Sequence, residues 1–438
     1  MLSEVPGIVR LAVPIVVGLV ATTLHAVVDA AMLGPLGAIP LAAAGLASAA
    51  SLIVVSAAWG TLSAVAVRAG HAKGAGQNRR VCAILRNGLA LGGLVGVAGA
   101  AAMGLFWLAL PLIGQPPEVI AAMPAYWAAM SLVLIPFSVS AVFRCTFEAV
   151  GRPWLGVAIA AVALGAKVPL NLLLIWGAGL GLLGAGLATL LAECLALAVA
   201  WAYWARSRGL RRLRLRRPLA PREIAACARE GAPLGVLNVA ETGAMAVVTL
   251  MIGTFGAAAL AGNQVALSVG GVFYVLPMAF SAAVAIRVAQ EGGAGRADAL
   301  RPVTLAALGL ASACMALVGA VMWWGGEAIA AALVADPAVV LAAAAIFAVF
   351  APMQLADAVQ SVMLGSLRGL SDTAFPATVS IVAYWAAGLP LGWLMATAGG
   401  LGPPGVWLGF FAALVGSALV LSARFAARTG LRGAAPAV

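Results

Sequence analysis

The chain has 438 residues, 64% of them hydrophobic and only 9% charged, with a formal net charge of +11. A water-soluble domain carries roughly 25% charged residues, so a surface wetted on all sides is excluded and lipid is the remaining solvent. The positive charge does not point to nucleic acid, because the basic residues fall between apolar runs rather than on one patch.

A membrane-spanning helix needs about 20 apolar residues and satisfies its own backbone hydrogen bonds. Twelve such runs follow one another, near 11–33, 41–67, 87–113, 119–143, 153–177, 182–204, 232–254, 258–286, 303–325, 338–366, 374–397 and 404–423. The first run is long and leads into Asp29 without a small-residue cleavage site, so it reads as a spanning helix and not a signal peptide. Ten-residue alternating segments, the mark of a membrane barrel, are not evident. The five cysteines are scattered and suggest neither a disulfide framework nor a metal site.

The loops fix a topology. Arg10 precedes the first helix, and the loop after the second holds Arg68, Lys73, Arg79, Arg80 and Arg86. Every second loop thereafter is basic, and the loops between have no Lys or Arg, so that 24 of the 25 basic residues face one side. Cytoplasmic loops are enriched in Lys and Arg. Twelve helices with both termini cytoplasmic follow, and anionic lipid attracts the basic loops.

The sequence repeats itself. At a shift of 219, Pro14 meets Pro233, Gly37 meets Gly256, and AVAVR at 64–68 meets AVAIR at 283–287. At a shift of 221, Gly179-Leu180-Gly181 meets Gly400-Leu401-Gly402. Each half has six helices, an even number, so both halves share one orientation and their symmetry axis runs along the membrane normal. Parallel repeats of this kind are a transporter architecture with substrate sites at the repeat interface. The expected organisation is an all-α polytopic bundle with a six-helix lobe at 1–204, a basic cytoplasmic linker at 205–231 and a second six-helix lobe at 232–438.

An ionised side chain at the bilayer centre costs roughly 2.5–3.5 kcal/mol on insertion scales, and such residues usually face a bundle interior or a wet cavity. Five lie inside the runs: Asp29, Lys167, Glu193, Glu241 and Asp357. Asp29 has His25 one turn earlier on the same face. Glu241 has Asn238 three residues before it, and Asp357 lies between Gln354 and Gln360. A carboxylate with amide oxygens suits a hard cation or a protonatable carboxyl; for Asn238, Gln354 and Gln360 helix-to-helix hydrogen bonding is the plainer expectation, and Asn171 and Gln264 are further supporting polar candidates. Lys167 and Glu193 lie at equal depth on consecutive antiparallel helices and are the candidate structural ion pair. The acids break the repeat, because Asp29 maps to Val248 and Glu241 to Thr22.

These residues resemble a known family. VDAAMLGPLGAIPLAAAG at 28–45, GHAKGAG at 70–76, ETGAMAVVTLMIGTFGAAALAGNQVA at 241–266 and DAVQSVMLGSLRGLSDTAFP at 357–376 are similar to segments of the multidrug and toxic compound extrusion (MATE) transporters, in order and over nearly the whole chain. The resemblance implies two six-helix lobes around a V-shaped central cavity. It also implies export of organic cations or amphipathic drugs against an inward flow of protons or sodium, with no cofactor beyond that ion. By resemblance to the NorM-like branch, Asp29 is the coupling site of the first lobe, and Glu241 and Asp357 form the cation site of the second. The acid that some archaeal members carry in helix 5 is replaced here by Asn171. Phe273, Tyr384 and Trp385 are candidate drug contacts through apolar and cation–π interaction. The expected molecule is a monomer in a bacterial inner membrane.

Rival classes fit less well. A major-facilitator transporter shares the two parallel halves, but its charged motif is missing from the loop RAGHAKGAGQNRR. A lipid-linked precursor flippase favours a basic cavity, whereas four of the five intramembrane charges are acids. A membrane enzyme is disfavoured by the lack of an HExxH pattern and by only two histidines. A passive channel calls for pore-lining repeats from several subunits.

Overall fold

The computed structural model describes residues 4–206 and 219–430. The arginine-rich core of the expected linker therefore lies outside the described residues. Among those described, twelve helices are long and apolar enough to cross a membrane. We label them α1 (Val5–Leu33), α2 (Ala38–Gly74), α3 (Asn78–Ala109), α4 (Pro124–Ala149), α5 (Pro153–Gly177), α6 (Gly181–Arg206), α7 (Pro221–Gly253), α8 (Ala257–Gly293), α9 (Leu300–Leu333), α10 (Pro337–Gly369), α11 (Ala374–Thr397) and α12 (Pro403–Gly430). Each begins within a dozen residues of an apolar run in the sequence and ends beyond or near it. The helices outgrow the runs because a 37-residue helix such as α2 or α8 is about 55 Å long. The hydrocarbon core is about 30 Å, so their polar ends continue past it.

The repeat is written into the turns. Gly37 and Gly256, 219 residues apart, have φ of 111° and 108° and stand immediately before α2 and α8. Their extended ψ places both in a region open essentially to glycine alone. Helices α5 and α11 are repeat mates as well, and each widens into one π turn, at Leu172–Gly177 and Ala383–Gly388.

Packing divides the chain differently from the repeat. One compact unit comprises Met1–Val16 with Val239–Val438, and the other Val17–Asn238. The expected boundaries at 204 and 232 follow the chain, whereas the first halves of α1 and α7 each pack with the helices of the other repeat. In the unit of residues 17–238, α7 lies backbone to backbone on α2: a Cβ added to Gly60 would stand 2.5 Å from the Leu234 carbonyl oxygen, and one on Gly235 2.5 Å from Thr61 Oγ1. Arg68 then pairs with Glu223 at 2.7 Å and Glu230 at 3.3 Å. In the other unit Arg287 pairs with Glu4 at 2.7 Å and Glu291 at 3.0 Å.

Each unit has its own aromatic core. Phe143 packs on Phe147, Trp201 and Trp204 in one. In the other, Trp407 meets Phe350 edge-on at 4.7 Å and its indole N–H donates to Asn263 Oδ1 at 2.9 Å.

Candidate functional site: buried carboxylates in each unit

In the unit of residues 17–238, Asp29 on α1 meets α5. Lys167 Nζ donates to Asp29 Oδ2 at 2.7 Å and to the His25 carbonyl oxygen at 3.3 Å. The lysine is 1% exposed, the aspartate 14%. The sequence expectation paired Lys167 with Glu193; the structure gives it Asp29 instead. Depth along α5 and α6 does not fix the direction in which a side chain leaves its helix, and Lys167 leaves α5 toward α1. Asn171, one turn further along α5 and fully buried, faces the same carboxylate. It stops short of hydrogen-bond geometry: Asp29 Oδ1 and both amide atoms of Asn171 are buried with no partner. Arg144 on α4 lies over the rings of Phe137 and Trp59, at 5.4 and 5.7 Å.

In the other unit the acids come together without a basic neighbour among the described residues. Tyr274 on α8 donates its hydroxyl to Glu241 Oε1 at 2.9 Å, and Ser361 donates to Asp357 Oδ1 at 3.3 Å. Glu241 on α7 and Asp357 on α10 stand within electrostatic reach of each other. The tyrosine is 41% exposed, so the carboxylates border open space and are not sealed in the core. Carboxylates and hydroxyls are hard oxygen donors of the kind that hold alkali or protonic charge.

The supporting residues sort by contact. Gln360 donates to the Tyr384 hydroxyl at 2.6 Å and to Ser417 Oγ at 3.1 Å, and Tyr384 donates back to Gln360 Oε1 at 2.9 Å. Tyr384 is 3% exposed and stacks on Phe410 at 4.9 Å. As a drug contact it is therefore corrected to a core residue. Trp385, its neighbour, is 42% exposed and donates to the Ala240 carbonyl oxygen at 3.0 Å, next to Glu241. Gln354 donates to Met322 Sδ at 3.3 Å, and Asn238 donates to the Ser56 carbonyl oxygen at 2.9 Å. Gln264 faces outward; the buried amide of α8 is its predecessor Asn263. Phe273 is half-buried.

Sequence reasoning missed Tyr274. Tyr274 lies on α8, which is separate from both carboxylate helices, and no spacing within one helix reveals it.

A duplicated twelve-helix bundle with carboxylates set into both units defines a polytopic membrane transporter. The MatE family model matches the chain twice, at residues 14–173 and 233–394, so its two copies begin 219 residues apart like the internal repeat. The chain is 34% identical to the probable multidrug resistance protein NorM of Deinococcus radiodurans, over 98% of this chain and 96% of that one. It is 32% identical to the multidrug resistance protein NorM of Burkholderia vietnamiensis, over 98% and 95%. Among solved structures, the eukaryotic MATE transporter AtDTX14 superposes with a TM-score of 0.88 at 21% identity, covering 98% of this chain and 99% of that one. The chain belongs to the MatE family, the MATE transporters that its motifs resemble.

Proposed function

We propose that the protein is a NorM-like multidrug efflux antiporter of a bacterial inner membrane. It exports cationic or amphipathic compounds in exchange for inward protons or sodium. The observation that carries this reading is a carboxylate cluster in each unit, one neutralised by a lysine and one with no basic neighbour among the described residues.

In the proposed cycle the ionised Glu241 and Asp357 attract the cationic compound while the binding region is open inward. After the change to the outward-open state, a proton or sodium ion neutralises the acids and releases the compound. Asp29 is the coupling carboxylate of the other unit. One charge moving inward supplies about 2.3 kcal/mol per 100 mV, so about 150 mV supports a gradient of over a hundredfold. Trp385, exposed beside Glu241, offers an aromatic face to the cation.

The test is uphill efflux in everted membrane vesicles energised separately by proton and sodium gradients, with Asp29→Asn, Glu241→Gln and Asp357→Asn. The reading expects each variant to lose gradient-driven transport. Full-rate uphill transport by all three overturns it.

A further inference from the structure

Lys167 is buried to 1% exposure, and its ammonium has one ion-pair partner within 4 Å among the described residues, Asp29. A buried charge that loses its counter-charge must find another, because the interior does not solvate it. Asp29 is built to lose its charge without losing its place. Its Oδ2 is held by Lys167, while Oδ1 is buried and unpartnered beside the equally unpartnered amide of Asn171. A proton can therefore settle on Oδ1 without displacing a hydrogen bond.

A second carboxyl group lies nearby. Glu193, half-buried on α6, has no ion pair within 4 Å among the described residues, yet it lies within electrostatic reach of both Lys167 and Arg144. It sits on the helix that follows Lys167 across a short turn and at about the same depth. A lysine side chain is a flexible four-carbon stem carrying a point charge with three rotatable donors, which suits it to turning from one acid to the other.

We propose that Lys167 is a swinging counter-ion. It pairs with Asp29 while that carboxylate is ionised and turns to Glu193 when a proton takes its place. The ammonium stays protonated throughout; the incoming proton stays on Asp29, and the cluster of Asp29, Lys167 and Glu193 passes from net −1 to neutral. Arg144, held over Phe137 and Trp59, supports the Glu193 charge while Lys167 is away. The groups facing Asp29 are Tyr126 on α4 and Lys167 and Asn171 on α5, while the His25 ring, one turn before Asp29, faces Lys167 and Arg144. Those facing Glu193 are Arg144, Lys167 and the adjacent Cys194. Lys167 is thus a positioning residue, and the proposal rests on the reading of Asp29 as a coupling site.

The sequence supplies a direct probe, since Lys73 and Lys167 are its only lysines. Full-length protein with the exposed Lys73 changed to Arg and all lysine labelled with 15N gives a single Nζ resonance in nanodiscs. The Lys167 resonance is compared in this background, in Asp29→Asn, and in Asp29→Asn/Glu193→Gln. The proposal expects Asp29→Asn to move the signal to a second ammonium position, and the added Glu193→Gln to remove that position. An unchanged signal in Asp29→Asn, or identical signals with and without Glu193, overturns it. Should the double variant fail to fold, Glu193→Gln alone is titrated into acid. The unsubstituted sites must reach the Asp29→Asn position and Glu193→Gln must not; coincident titrations overturn the proposal. The measurement uses no transport, so active efflux by Asp29→Asn would defeat the coupling reading while leaving this result standing.

Discussion

Arg287 holds Glu4 at 2.7 Å, and their counterparts 219 residues on and back, Arg68 and Glu223, are held at the same distance. The duplicated ion pair ties the start of α1 to α8 and the start of α7 to α2, each within one compact unit. The two copies differ in what else depends on the arginine. Glu291, 1% exposed, keeps Arg296 when Arg287 is gone. Glu230, 11% exposed, has only Arg68 as an ion-pair partner among the described residues. Removing one member of a partly buried pair strands the other, while exposed pairs contribute about 0–1 kcal/mol. Arg68→Ala should therefore destabilise by roughly 2 kcal/mol and Arg287→Ala by about half that. Adding Glu230→Gln should recover most of the Arg68→Ala loss. Thermal unfolding in detergent orders the variants, and equal losses would mean that the stranded Glu230 does not matter.

The same crossing makes a second asymmetry. Gly231 on α7 has no room for a Cβ, which would fall inside the Thr61 carbonyl oxygen of α2. Its repeat mate on α1 is Ala12, which already carries a methyl group and is 3% exposed. Overpacking against backbone cannot be relieved by turning a side chain and costs typically 1–3 kcal/mol or more. Gly231→Ala should thus lower the yield of monodisperse protein sharply, whereas Ala12→Gly should cost about 1 kcal/mol. Fluorescence-detected size-exclusion of the two variants separates these outcomes.

Tyr384 and Trp385 are neighbours in one π turn with opposite surroundings. The tyrosine hydroxyl is locked to Gln360, and its ring stacks on Phe410. The tryptophan ring is largely open, anchored at its nitrogen to the Ala240 carbonyl oxygen. Tyr384→Phe leaves buried Gln360 short of partners and should cost roughly 1–3 kcal/mol of stability with substrate KM unchanged. Trp385→Ala should raise KM for a cationic dye several-fold, with a smaller effect on unfolding. If Tyr384→Phe moves KM and not stability, the assignment of the two rings is reversed.

The fold was legible to the extent that it is one-dimensional. Apolar length gives the twelve helices, and the shift of 219 appears again in the φ of Gly37 and Gly256. The acids, too, are conspicuous, because lipid makes any charge within a span rare. What the sequence hides is azimuth and partnership between helices. Depth along α5 and α6 suggested Glu193 for Lys167, but Lys167 leaves its helix toward Asp29. Periodicity cannot choose between Phe273 and Tyr274, or between Gln264 and Asn263; the hydrogen bonds of Tyr274 to Glu241 and of Trp407 to Asn263 make the choice. The compact units are hidden for a related reason. The repeat boundary is covalent, whereas the packing boundary runs through the middle of α1 and α7.

Tyr274 offers the sharpest test of the second carboxylate cluster, since its hydroxyl donates directly to Glu241. A hydrogen bond to a charged group is worth about 1.5–3 kcal/mol, roughly ten- to a hundredfold in an equilibrium. If Glu241 receives the cationic compound as a carboxylate oriented by that hydroxyl, Tyr274→Phe should weaken uphill dye efflux about tenfold in proteoliposomes. It should leave the unfolding temperature nearly unchanged, because the ring is 41% exposed and its hydroxyl is not part of a sealed network. Asp357, which takes its hydrogen bond from Ser361 one turn along the same helix, provides the control. Ser361→Ala removes a longer contact and should cost less than Tyr274→Phe. Undiminished efflux in Tyr274→Phe would mean that Glu241 works without the hydroxyl, and that the contact only fills space between α7 and α8.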